Sequence, residues 1–72
     1  MYKAVIKNPN YGEVEISAET IEGIHMVAFR MNENVYVGDT LIAAKDGKDP
    51  AHPNTIFGGY TIGGLKKLYG EI

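Results

Sequence analysis

The sequence predicts a small α+β fold: an antiparallel sheet of three or four strands, one main helix and a short C-terminal helix. Three observations carry this expectation. Two alternating stretches, "YKAVIK" and "EVEISA", flank the turn-rich "NPNYG". Apolar residues between positions 19 and 32 recur at helical spacing. The chain closes on "LKKLYG", a short apolar turn with a glycine just past it. If the 19–32 segment were extended instead, a small β-barrel with a terminal helix would be the alternative.

Taken in order, the first two stretches read as a hairpin. Asn, Pro and Gly in "NPNYG" each suit a reversal of the chain. Val14, Ile16 and Ala18 share one face of the second strand, and counting back from the turn sets Lys7 opposite Glu13 as a cross-strand ion pair. In the next segment Ile21, Ile24, Val27, Ala28 and Met31 fall on one helical stripe, with Thr20 placed to cap the start. Gly23 opposes this by about 1 kcal/mol in a helix interior. "VYVG" reads as a short strand. "DTLIAAK" fits a two-turn helix capped by Asp39 somewhat better than a further strand. "DGKDPAHPN", with two prolines, a glycine and two aspartates, reads as a loop. "TIFGGYTI" resumes strand character before the terminal helix. No repeat, linker or low-complexity segment divides the chain, so it reads as a single domain over 1–72.

Size limits what such a chain can do. By standard scalings its 7.9 kDa remove roughly 7,000 Å² from water on folding. With about 60% of that apolar, burial contributes roughly 105 kcal/mol, and ordering the residues at ~1.5 kcal/mol each costs about the same. The balance near zero calls for support. The chain has no cysteine, which removes disulfides and thiolate zinc sites and fits a reducing compartment. Self-association is the most economical support left, so a homo-oligomer is expected. No apolar h-region follows Met1, and the longest apolar runs, Met26 to Phe29 and Leu41 to Ala44, fall far short of a membrane span. A cytoplasmic protein is the expectation. A net charge of −2 argues against general affinity for nucleic acid or anionic membrane.

Two stretches are candidate sites. In "FGGYTIGGLKKLYG", Thr61, Gly63 and Gly64 stand at a helix start, where backbone N–H groups attract phosphate or carboxylate. Lys66 and Lys67 would add charge there, and Phe57 and Tyr60 could stack on a base. The stretch lacks the ending and spacing of the specific phosphate loops, and paired glycines more often serve backbone geometry. The second candidate is an acidic run, Glu13, Glu15, Glu19 and Glu22, with no Lys or Arg between Lys7 and Arg30. A continuous negative surface could dock on a basic site of another protein, although a solvated face with carboxylates at a helix start is the plainer account.

Catalysis has little to stand on. Asp46, Asp49 and His52 are ligand types at no recognised metal spacing, His25 sits among apolar neighbours, and no nucleophile-base grouping is present. No metal or cofactor is expected. Two functions lead, and the composition would also permit a structural subunit of a larger assembly. The first is a non-enzymatic binding protein that regulates or inhibits another protein by contact through the acidic run. That is the profile of small regulators carried by phages and other mobile elements. The second is an oligomer that sequesters a phosphate-bearing metabolite or nucleotide signal through residues 57–67.

Overall fold

A computed structural model describes residues 1–71. Its chain order is β1 (Tyr2–Asn8), β2 (Gly12–Ala18), α1 (Ile21–Arg30), β3 (Val35–Val37), β4 (Thr40–Ala43), a 3₁₀ turn (Lys45–Gly47), β5 (Lys48–Asp49), β6 (His52–Ile56) and α2 (Ile62–Leu68). The fold is α+β. Strands β2-β1-β3-β4 form one antiparallel sheet and β5-β6 a second, smaller one. The four-stranded sheet is open, not a closed barrel, because the 19–32 segment folds as helix α1 and contributes no strand.

The β1–β2 register places Lys7 against Glu13, as the turn predicts. The ion pair falls elsewhere, however. Lys7 Nζ lies 4.6 Å from the centre of the Tyr36 ring, and Lys3 approaches Glu15 at 3.9 Å. Tyr36 pairs with Val5 on the next strand, so its ring shares the face from which Lys7 projects. Thr20 caps α1 by accepting the Gly23 N–H at 3.0 Å. Gly23 has a packing reason: a Cβ there would lie 3.0 Å from Ala18 Cβ, where α1 crosses β2.

"DTLIAAK" departs from the helical expectation. Gly38 and Asp39 are the two loop residues of a tight hairpin, with Val37 paired to Thr40. Gly38 has φ 61 at the first loop position, where this kind of hairpin turn needs glycine. Asp39 therefore sits in a turn, not at a cap, and Thr40–Ala43 continues as β4. Between Val35↔Ala43 and Tyr36↔Leu41 the register slips by one, leaving Ile42 as the extra residue of a bulge. The bulge lets Ile42 and Ala43, adjacent in sequence, both be buried.

"DGKDPAHPN" is likewise structured, not a loop. Pro50 falls in the turn of the β5–β6 ribbon, and Pro53 lies in β6. A two-stranded ribbon is all edge, so a missing N–H is tolerated there. Strand character ends at Ile56 and does not run on through "FGGYTI".

Both helices pack on one face of the main sheet. Ala4, Ile6, Val35, Ile42 and Ala43 of the sheet meet Ile21, Ile24 and Ala28 of α1 and Leu65 of α2 in a single core. Ile16, Ala18, Tyr60, Leu68 and Tyr69 pack around it. The opposite sheet face carries Lys3, Val5 and Lys7 of β1, Glu13, Glu15 and Ser17 of β2, and Tyr36 of β3, by the alternation of the strands. Among the described residues, no helix is long and apolar enough to cross a membrane.

Candidate interaction surfaces

The end of the chain builds the first surface. Thr61 caps α2, accepting the Gly64 N–H at 3.0 Å. Gly63 and Gly64 do not precede the helix but lie in its first turn. The glycine that bends the backbone is Gly59, at φ 82, where a Cβ would stand 2.2 Å from Phe29 Cζ. With no side chain at 59, Phe29 can close over the backbone. One residue on, the Tyr60 N–H reaches the Ile42 carbonyl at 2.9 Å, on the free side of β4. The segment from 57 to 61 therefore acts as a joint that lays the chain along an edge of the sheet.

As an anion cradle this joint is poorly equipped. Helix α2 has seven residues, and Thr61 already occupies the Gly64 N–H. Tyr60 packs against Gly64, its Cδ2 3.3 Å from where a Cβ would stand, and so contributes to the core margin instead of an open stacking platform. Phe57 is half-buried, and its N–H donates to Gly47 at 2.7 Å. Lys67 is exposed near the far end of α2. That end is closed by N–H groups of Gly70 and Glu71 donating to Lys67 and Lys66 carbonyls at 3.1 and 2.8 Å.

Lys66 instead meets part of the acidic run. An open hollow of about 350 Å³ lies between the start of β1, the start of α1 and the end of α2, bordered by Tyr2, Glu19, Glu22, Lys66 and Glu71. The Tyr2 hydroxyl donates to Glu71 Oε1. That hydrogen bond, followed by loss of solvation and the charges of Glu71 and Glu22, pushes the Tyr2 phenol above its ordinary pKa. Tyr69 packs edge-on against Tyr2 with centroids 5.1 Å apart and donates its hydroxyl to the Lys3 carbonyl at 2.8 Å; burial raises its pKa too. A phosphate entering this hollow would meet three carboxylates beside one ammonium, which is unfavourable.

The acidic run is thus divided between two places. Glu19 and Glu22 border the hollow, whereas Glu13 and Glu15 stand together on the sheet face away from the helices. Strand β2 pairs only with β1, so it is an edge strand of the described sheet. Lys7 donates its backbone N–H to Asn34 at 3.0 Å, toward β3. Backbone polarity alternates along an antiparallel strand, so Tyr2, Ala4, Ile6 and Asn8 bond toward β2. Their partners there are Ala18, Ile16, Val14 and Gly12. Glu13, Glu15 and Ser17 are left with N–H and C=O groups pointing outward. Sequence reasoning singled out both glutamates for their charge. It missed the free backbone beside them and Ser17, which becomes visible only when the strand order is known.

The remaining acids form no metal site. Asp46 and Asn32, both at positive φ, clasp each other: the Asp46 N–H donates to Asn32 Oδ1 at 2.8 Å and Asn32 Nδ2 donates to Asp46 Oδ1 at 3.0 Å. Asp49 accepts the Ala51 N–H within its own turn, and His52 is exposed on β6. His25 packs against Phe29 with the rings tilted by 43° and 4.6 Å between centroids. Among the described residues no group of three His, Asp or Glu side chains could hold a metal ion. No family model, curated protein or solved structure matches the chain.

Proposed function

We propose that this chain is a small non-enzymatic binding protein that regulates or inhibits another protein by covering part of its surface. The observation that carries this reading is the pair Glu13 and Glu15, side by side on a sheet face that neither helix covers. A carboxylate row on a rigid strand suits a basic surface, steering the encounter and fixing its register. Glu19 and Glu22, around the end of β2, extend the negative potential toward the hollow.

Splitting the run tests the reading. Capture from the source cell should retain a partner on the unmodified chain and lose it when Glu13→Lys and Glu15→Lys are combined. The Glu19→Lys, Glu22→Lys pair should weaken capture less. Retention unchanged by the first pair, with the fold intact by circular dichroism, removes the acidic sheet face as the working surface.

A further inference from the structure

We infer that the outer edge of β2 is a strand-addition site for an extended, basic segment of a partner protein. This rests on the proposed binding function and specifies how contact is made. Outward N–H and C=O groups of Glu13, Glu15 and Ser17 present an open hydrogen-bonding row along a seven-residue strand. The strand pairs with β1 without a register shift, so the row is regular. An added strand would set alternate side chains opposite Glu13 and Glu15 on the open face. Its other side chains would lie along Val14, 40% exposed, and the half-buried Ile16. The complement is an extended segment alternating lysine or arginine with valine or threonine.

Charge decides between occupants. A second copy pairing antiparallel over the whole strand, centred on Glu15, would face Glu15 with Glu15. Centred on Val14, it would face Glu13 with Glu15 twice. Like charges directly opposite disfavour both of these registers, and the register centred on Ile16, which sets Glu15 opposite Ser17, gains no charge complement, so a basic strand is the better occupant. The opposite edge offers no such site, since Tyr60 already bonds to Ile42 there.

The test uses the whole chain and a seven-residue peptide alternating lysine and valine. Titration followed by amide NMR should show salt-sensitive binding, with slowed hydrogen exchange at Glu13, Glu15 and Ser17. The same peptide N-methylated at every second residue keeps its charge but loses its donors, and it should bind about tenfold more weakly. Ser17→Pro keeps both glutamates and the β1 ladder, because the Ser17 N–H points outward, and it should weaken the parent peptide by a similar factor. If the methylated peptide binds as tightly as the parent, strand addition is wrong while the acidic face stands. If neither peptide binds but a folded basic protein does so through Glu13 and Glu15, the outcome is the same. If no basic probe of either kind binds, both the inference and the proposed face fail, and the glutamates serve only to keep copies apart. A dimer that Ser17→Pro dissolves would give the edge to a second copy and overturn the basic occupant.

Discussion

The two edges of the main sheet are treated in opposite ways. At β4 the strand is four residues long, carries a bulge at Ile42 and is bonded by the backbone of Tyr60. At β2 the strand is seven residues long, regular and uncovered among the described residues. Short, bulged and covered is how proteins retire an edge; long and flat is what they avoid unless the edge is guarded or used. The joint at 57–61 thus engages one side of the sheet at Ile42, whereas charge guards the other.

The closed edge can be broken first. Gly59→Val places a branched side chain into Phe29 at a φ that side chains rarely adopt, and should cost about 3 kcal/mol in urea unfolding. Combining it with Phe29→Ala should recover only part of that loss, since the backbone strain remains; full recovery would show that crowding is the whole effect. Leu65→Ala removes the fully buried side chain by which α2 seats behind this joint, at about 2 to 3 kcal/mol. Thr61→Ala loses the α2 cap and should cost about 1 kcal/mol.

On the open edge, Glu13→Lys with Glu15→Lys removes the weak Lys3 pair and sets a like charge opposite Lys7, but the side chains are exposed, so it should cost about 1 kcal/mol, well below Gly59→Val. A loss comparable to Gly59→Val would mean that the glutamates support the fold and would remove the contrast between the edges. The smallest effect is a pH dependence. The phenols of Tyr2 and Tyr69 hold their protons more tightly folded than unfolded. Their contribution is therefore complete below pH 10.0, the ordinary phenol value, and fades as pH rises through the higher folded values. The melting temperature should fall on that alkaline side, and more gently in a Tyr2→Phe, Tyr69→Phe variant.

How much of this was legible follows the range of the interactions. The β1–β2 hairpin and α1 are written locally, in alternation, a turn and a capped stripe. β4 reads as a helix in sequence because Asp39 before an apolar run looks like a cap, and only the Gly38 conformation reveals a hairpin turn. The β5–β6 ribbon was hidden by its prolines, whose lack of an N–H matters little where every strand is an edge. For the sites, the glutamates were visible as charge and the glycine stretch as a joint. That Lys66, Glu19 and Glu22 border one hollow was not visible, since it depends on where α2 packs.

The hydrogen bond from the Tyr69 hydroxyl to the Lys3 carbonyl spans 66 residues. Closing so long a loop is entropically slow compared with forming a hairpin or a helix. The contact is expected to form after the β1–β2 hairpin and α1, and pulse-labelled hydrogen exchange that protects α2 as early as β1 would refute this. Until α2 arrives, Leu65 is missing from the core and Tyr60 has not reached β4. A chain in which α2 is undocked has both sheet edges open, so Leu65→Ala should raise self-association as well as lower stability.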